Sequence, residues 1–178
     1  MHIPYYRPLK LNQFKSKHAP MFPRTIFCVI AGPTGSGKTN LMVHLLVTPE
    51  LLDYGDVYIY SPTLHQDSYK YLREYYEAIE KNTIEQLKSA NIQISLKICH
   101  FFNADDEIKD PSEIDPSTSH IMVFDDVMNA DQSKIKDYFC RGRHNNVNVF
   151  YLCQSLHKIQ KTLYKRQCKC VYITSSGQ

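Results

Sequence analysis

The strongest chemical signal in the sequence lies in eight consecutive residues, Gly32 to Thr39. They read GPTGSGKT and match G-x-x-x-x-G-K-[ST], a pattern that binds nucleotide phosphates where it joins a strand to a helix. Gly35 and Gly37 permit the backbone angles that turn successive N–H groups inward to form a concave anion site. The helix expected to begin near Lys38 adds its positive end. The segment therefore predicts a site for a nucleoside triphosphate.

Two side chains of this loop have predicted roles in phosphate chemistry. Lys38 is expected to reach the β- and γ-phosphates, and the Thr39 hydroxyl is expected to ligate Mg²⁺. The predicted nucleotide-binding residues are Gly32, Pro33, Thr34, Gly35, Ser36, Gly37, Lys38, Thr39 and Asn40.

A pair of carboxylates ends a second apolar run, at Asp125 and Asp126. Parallel strands collect their ligands at their carboxyl ends, so Asp125 is expected beside the phosphate loop. We assign Asp125 to Mg²⁺ and Asp126 to the attacking water, as the catalytic base or orienting group. The alternative is an acidic cap for a helix over 128–140.

Gln154 follows the apolar run 147–153. If that run is a strand beside the phosphate-loop strand, the Gln154 amide faces the γ-phosphate or the attacking water. Otherwise it is a polar residue at the end of a strand.

Arg141 and Arg143 flank Gly142 and leave three interpretations open. A guanidinium can stabilise charge on a transferred phosphoryl group, either in its own chain or from an adjacent subunit. It can also bind a nucleic-acid phosphate, or it can be solvated.

The elements that must position these residues alternate between strands and helices. Apolar or alternating runs predict strands at 25–32, 56–60, 91–102, 121–127, 147–153 and 170–174. Helical spacing predicts helices over 38–47, 68–81 and roughly 130–140, and residues 103–119 predict an acidic surface loop. This order predicts an α/β fold, a three-layer sandwich around a mostly parallel sheet.

Composition and charge limit the classes of protein. The 178 residues, 43% of them hydrophobic, suit one globular domain, and no apolar run reaches the roughly 18 residues of a membrane span. Residues 1–24 carry five basic side chains and no acidic one, and residues 134–178 carry nine basic side chains and one acidic one. We expect a basic, proline-rich arm over 1–23 and one domain over 24–178. The basic ends fit either a polyanion partner or a solvated surface.

The order of four segments resembles that of the poxvirus-type genome-packaging ATPases of the FtsK/HerA superfamily. The segments are AGPTGSGKTNLMVHLL, VYIYSPT, HIMVFDDV and RGRHNNVNVFYLCQSLHKI. The resemblance covers roughly residues 24–160 and implies a P-loop NTPase with a RecA/FtsK-like sheet. In it, Lys38, Asp126 and Gln154 are catalytic, and Arg143 or Arg141 completes a neighbouring subunit's site.

The resemblance also implies cofactors and partners. Family members hydrolyse ATP with Mg²⁺ and drive double-stranded DNA into a viral capsid as oligomeric rings, with no preference for sequence. We therefore expect double-stranded DNA, a homo-oligomeric ring and capsid or portal components as partners, and no membrane. The expected location is the host cytoplasm, in a viral factory, or the nucleus, and the virion. Asp126 stands where the wider superfamily usually has Glu, and the early end after residue 174 suggests a minimal or shortened member.

Alternative functions belong to other classes. A P-loop small-molecule kinase, of nucleoside or nucleotide type, suits the length, although the long loop at 103–119 is acidic where a kinase lid is rich in arginine. A GTP switch protein is another alternative, but this sequence lacks the N-K-x-D motif with which such proteins read guanine. A non-catalytic nucleotide-binding scaffold would not need both carboxylates.

Overall fold

Parallel strands form a single sheet in the computed structural model, which describes residues 18–90, 97–156 and 170–173 (for 83–90 and 170–173, the backbone alone). Within these residues the sheet has six strands: β1 (Phe27–Ala31), β2 (Asp56–Tyr60), β3 (Ile98–Phe102), β4 (His120–Asp125), β5 (Val147–Cys153) and β6 (Cys170–Ile173). Their order across the sheet is β3-β2-β4-β5-β1-β6, and every pair is parallel. The helices are α1 (Lys38–Val47), α2 (Asp67–Ala90) and α3 (Gln132–Arg141).

Helices cover both faces of the sheet. One apolar cluster joins alternate residues of β1, such as Phe27, to α3 through Tyr138 and Phe139. The other cluster joins the intervening residues of the strands to α1 and α2, through side chains such as Met42 and Leu72. Strands buried on both faces read as continuous apolar runs, which is why β1, β4 and β5 were visible in the sequence. The predicted three-layer α/β fold is confirmed.

The strand order brings the predicted site residues to one edge of the sheet. Strand β5 lies between β1 and β4, so the segments that follow these three strands leave the sheet side by side. Backbone hydrogen bonds join them: the Gly32 N–H donates to the Cys153 carbonyl at 3.1 Å, and the Asp126 N–H donates to the Leu152 carbonyl at 3.0 Å. The parallel sheet therefore supplies the placement that the motifs alone could not specify.

Two elements differ in length from their sequence predictions. Helix α2 runs to Ala90 rather than to residue 81, because the stretch 82–90 contains no glycine or proline to end it. Strand β3 accordingly begins at Ile98, whose side chain is 46% exposed on this edge strand. The earlier part of the predicted strand, 91–96, lies outside the described residues.

The acidic segment 103–119 is not only a surface loop. Ile108 and Ile114 are buried in the core cluster on the α3 face of the sheet. Short turns order the segment, since Asp110 accepts hydrogen bonds from Ser112 at both its backbone and its side chain. The prediction of a surface loop was wrong for these two apolar residues, because the proline and acidic content of the segment concealed them.

The predicted arm is attached to the domain over its last residues. The Ala19 N–H donates to the Leu51 carbonyl at 3.0 Å, and the buried His18 ring accepts from the Asp53 N–H at 3.0 Å. Residues 1–17 of the arm lie outside the described part of the chain. None of the described helices combines the length and apolarity that crossing a membrane requires.

A buried amide links the amino-terminal ends of three strands, on the side of the sheet opposite the site. The Asn148 side chain accepts from the Ile26 N–H at 2.9 Å and donates to the His120 carbonyl at 3.3 Å. Asn148 is 2% exposed, so these groups have no access to bulk water. Loss of the amide would leave buried polar groups without partners.

Replacing Asn148 with Leu is therefore expected to destabilise the protein by about 2 kcal/mol, because a buried donor and acceptor each lose their partner. At this chain length the loss corresponds to a fall in Tm of about 4–8 °C, measured by differential scanning calorimetry. Asn129→Leu, at an exposed position, is the matched control and should change Tm little. Equal Tm values for the two variants would contradict the role given to Asn148.

Candidate functional site: a nucleotide cleft at the sheet edge

The loop between β1 and α1 has the backbone geometry of an anion site. Gly35 and Gly37 adopt φ angles of 78° and 82°, in the left-handed region that the sequence predicted for them. Gly37 caps α1 without a side chain, and the first turn of the helix contains no acidic residue. The first N–H groups of α1 and its positive end therefore remain available to an anion.

The charge of Lys38 is held against this loop. Its Nζ donates to the carbonyls of Gly32 at 2.8 Å and Pro33 at 2.9 Å. These contacts fold the ammonium group over the loop and keep it beside the cleft that Lys38 helps to line. A compact ammonium in this place can neutralise phosphate oxygens bound to the loop.

A second group of contacts centres on Asp125 at the end of β4. Its Oδ2 accepts hydrogen bonds from Thr39 Oγ1 at 3.0 Å and from the Tyr69 hydroxyl at 2.5 Å. The side chain is buried, and burial raises the pKa of the Asp125 carboxyl, although the Tyr69 and Thr39 hydrogen bonds act to lower it. Burial therefore destabilises the ionised form of Asp125, and a cation bound beside it would offset that cost.

Asp126 reaches the same cleft because the backbone turns at that residue. Consecutive residues of a strand point to opposite faces, but Asp126 follows the strand with a φ of 54°. Its Oδ2 accepts from Gln154 Nε2 at 3.1 Å, and both side chains line the cleft beside Asp125. The alternative interpretation as a helix cap is wrong, since Asp131 caps α3 by accepting from the Ser133 N–H.

One wall of the cleft was missed by the sequence analysis. It consists of Thr63, Gln66 and Ser68, which follow β2, and the Ser68 hydroxyl donates to Asn40 Oδ1 at 2.5 Å. Because β2 is parallel to β4 and adjacent to it, the carboxyl end of β2 lies on the same side of the sheet as the carboxyl end of β4, next to the cleft. The polar residues after Tyr60 were the signal that could have identified this wall.

The cleft has a volume of about 440 Å³, within the usual size of small-molecule sites. Its lining residues are Thr34, Gly35, Gly37, Lys38, Thr39, Asn40, Thr63, Gln66, Ser68, Asp125, Asp126 and Gln154. Of the predicted nucleotide-binding residues, Gly32, Pro33 and Ser36 belong to the loop but not to this lining. The lining contains one ammonium group, that of Lys38, and two carboxylates, those of Asp125 and Asp126. Negative charge is therefore in excess beside a loop that binds phosphates, and a bound metal cation would balance it.

The residues present fit Mg²⁺. Thr39 Oγ1 and Asp125 Oδ2 are hard oxygen donors that already lie 3.0 Å apart. Mg²⁺ is commonly bound by one or two carboxylates together with substrate phosphates, so this set is sufficient. Across the described residues no cluster of three or more His, Cys, Asp or Glu side chains forms a separate metal site.

The arginines do not reach the cleft of their own chain. Arg141 ends α3, at the edge of the sheet where β5 begins, and it pairs with Asp137 at 2.6 Å and Asp110 at 3.7 Å. Arg143 lies in the short 3₁₀ turn that follows, exposed to solvent, with Nε donating to the His144 ring at 3.4 Å. The prediction that an arginine acts within its own chain is therefore not supported by this geometry. Action from an adjacent subunit stays a prediction.

Together, the parallel sheet, the phosphate loop and the paired carboxylates define a P-loop NTPase. The chain belongs to the poxvirus A32 protein family, which matches residues 13–176. It is accordingly a P-loop ATPase of the viral DNA-packaging class, and the small-molecule kinase alternative is not favoured. The particular assignment to the FtsK/HerA superfamily stays a prediction.

Three solved structures that are similar to this chain have low sequence identity to it. The chain is similar to the N-terminal domain of zonular occludens toxin from Neisseria meningitidis, with 19% identity, a TM-score of 0.47, and coverage of 86% of this chain and 78% of that one. It is also similar to the large terminase from a thermophilic bacteriophage, with 15% identity, a TM-score of 0.44 and 85% of this chain covered. The same terminase in complex with ADP gives 14% identity, a TM-score of 0.40 and 84% coverage. The chain spans 40% of each terminase chain. Curated protein sequences gave no significant match.

The buried carboxylate generates a stability prediction. Because burial raises the pKa of Asp125, the folded state binds its proton more tightly than the unfolded state does. The ionised form therefore costs stability as pH rises above the ordinary Asp value of about 3.9. Asp125→Asn removes the charge and keeps an oxygen that can accept from Thr39 and Tyr69. Without nucleotide or metal at pH 8, we expect Tm to rise by about 2–4 °C, near 1 kcal/mol.

This gain should shrink as the pH is lowered towards about 4, since the wild-type carboxyl then becomes protonated in both states. Asp126→Asn, in the same cleft but less buried, is the matched control and should change Tm less than Asp125→Asn does. Thermal melts across this pH range test the sign. A lower Tm for Asp125→Asn at every pH would contradict the account.

Proposed function

We propose that this packaging ATPase hydrolyses ATP in the described cleft with Mg²⁺, and couples hydrolysis to the movement of double-stranded DNA. The observation that carries the proposal is the contact of Thr39 Oγ1 with Asp125 Oδ2 at 3.0 Å. It joins the phosphate loop to the carboxylate strand, although the two residues are 86 positions apart. A loop that merely turned the chain would not need this contact.

The phosphate-binding residues have separate roles in this proposal. The backbone N–H groups after Gly35 hold the β- and γ-phosphates, and Lys38 exchanges its carbonyl contacts for phosphate oxygens. Thr39 and Asp125 hold Mg²⁺. When bound, the metal neutralises charge on the phosphates and orients them for in-line attack.

Asp126 and Gln154 act on the attacking water. Their side chains share a hydrogen bond of 3.1 Å and face the cleft next to the metal residues. The Asp126 carboxylate orients the water and accepts its proton, while the Gln154 amide donates to the water or to the γ-phosphate. The amide senses the γ-phosphate because its hydrogen-bond partners change when that group leaves.

The ring assembly is part of the proposal, and Arg143 is the arginine that we assign to the neighbouring site. Arg141 is engaged by two carboxylates of its own chain, whereas Arg143 contacts the neighbouring His144 ring and is exposed. A guanidinium placed in this way can reach across a subunit boundary without breaking an ion pair.

The remaining partners follow from charge and family. We propose residues 24–178 as the ATPase domain and residues 1–23 as a basic arm, although the family match begins at residue 13, inside that arm. Lysine and arginine side chains of the basic ends would contact DNA phosphates without reading sequence. A packaging role places the protein with capsid or portal components, in a cytoplasmic viral factory or the nucleus, and in virions.

Hydrolysis that depends on this cleft is the first test of the proposal. Lys38→Ala is expected to lower kcat by about 10²-fold or more, because a charge that stabilises the transferred phosphoryl group is lost. Lys81→Ala, at an exposed position of α2, is the matched control and should retain activity. Phosphate release is measured with and without long double-stranded DNA. A wild-type rate of phosphate release that is the same with and without DNA would contradict the proposal, and so would an unchanged rate in Lys38→Ala.

Complementation between subunits tests Arg143. Arg143→Ala is expected to lose about 10³-fold in kcat, while Arg141→Ala, which breaks an ion pair with Asp137, should lose far less. Mixed with Lys38→Ala, the Arg143→Ala chain should regain hydrolysis, since each chain supplies what the other lacks. A mixture no more active than its two components would overturn the assignment of Arg143 to a neighbouring site.

A further inference from the structure

Tyr69, on α2, contacts the predicted metal ligand Asp125 from a buried position outside the cleft. Its side chain is 2% exposed, and its hydroxyl donates to Asp125 Oδ2 at 2.5 Å. Neither the nucleotide motif nor the carboxylate pair includes this residue, and it does not line the cleft. It is nevertheless hydrogen-bonded to the carboxylate that we assign to Mg²⁺.

The position of Tyr69 is fixed by the packing of α2. Its ring meets the Phe101 ring edge-on at 6.5 Å, and the Arg73 guanidinium lies 4.6 Å from the centre of the same Phe101 ring. Arg73 Nη1 also donates to the Leu64 carbonyl at 3.1 Å, which anchors the start of the helix. These contacts, none of which involves the phosphate loop, hold the Tyr69 ring in place.

The two donors to Asp125 differ in what they can do when metal binds. The Thr39 hydroxyl belongs to the phosphate loop and is itself an expected metal ligand, so its contact with Asp125 is available for exchange. The Tyr69 hydroxyl has no such second role and can keep its hydrogen bond throughout. Partners that orient a metal ligand from outside the coordination shell commonly contribute about 10- to 100-fold to metal affinity.

We propose that Tyr69 is a positioning residue for the ATPase reaction, holding the Asp125 carboxylate in the orientation that binds Mg²⁺. This inference rests on the proposed function. Helix α2 thereby becomes a third structural support of the site, besides the phosphate loop and β4. The role predicts an effect on metal affinity that is separate from nucleotide affinity and from folding.

Tyr69→Phe in the full chain tests this role, because it removes only the hydroxyl. The matched control is Tyr76→Phe, on the same buried face of α2, whose hydroxyl instead lies 2.7 Å from the Tyr54 hydroxyl. Three quantities are measured for each variant: binding of a fluorescent ADP analogue with and without Mg²⁺, the Mg²⁺ concentration for half-maximal ATP hydrolysis, and KM for ATP at saturating Mg²⁺. Tm is recorded for both.

We expect Tyr69→Phe to raise the half-saturating Mg²⁺ concentration by about 10-fold or more. Its affinity for the analogue without Mg²⁺, and its KM for ATP at saturating Mg²⁺, should stay within about twofold of wild type. Tyr76→Phe should lower Tm and leave the Mg²⁺ dependence unchanged. A Mg²⁺ dependence that is the same in both variants and in wild type would overturn the role of Tyr69 alone. Wild-type protein without Mg²⁺-dependent nucleotide binding would overturn the proposed function and this role with it.

Discussion

A single carboxylate oxygen, Asp125 Oδ2, joins three elements that are far apart in the chain. It accepts one hydrogen bond from the phosphate loop through Thr39 and another from α2 through Tyr69, at the end of β4. Burial of a carboxylate costs free energy, and the two hydrogen bonds offset part of that cost. A bound cation would offset the rest of that free-energy cost. The arrangement therefore destabilises the protein without ligands and favours binding of metal and nucleotide.

The sheet topology makes this junction possible. Because β5 separates β1 from β4, the loop after β1 and the carboxylates after β4 face each other across Gln154. A left-handed backbone at Asp126 then brings a second carboxylate into the same cleft. The buried Asn148 amide fixes the opposite ends of these strands, where a shift in register would displace the site residues together.

The parts of the structure that are predictable from sequence are those in which local chemistry decides the conformation. The loop from Gly32 to Thr39 has its expected strand, helix and positive φ angles because the motif contains all of them within a few residues. The wall formed by Thr63, Gln66 and Ser68 was not predicted, and neither was the role of Tyr69, because their contacts depend on which strands are neighbours. Helical spacing placed Tyr69 inside the predicted helix 68–81 and could not indicate that its hydroxyl donates to a carboxylate.

The arginines show a different limit. Their sequence context could not separate action within the chain from action between subunits, and the described fold places them at the edge of the sheet opposite the cleft. Loop 103–119 illustrates the same point for packing, since two apolar residues among many polar ones are enough to bury part of it. In both cases the deciding information is three-dimensional.

A crystal structure of the protein with Mg²⁺ and a non-hydrolysable ATP analogue tests the central claim most directly. The account predicts phosphates on the loop after β1, with the metal bound by Thr39 and Asp125 and with Tyr69 still donating to Asp125. Phosphates bound elsewhere, or a metal that avoids Asp125, would contradict it.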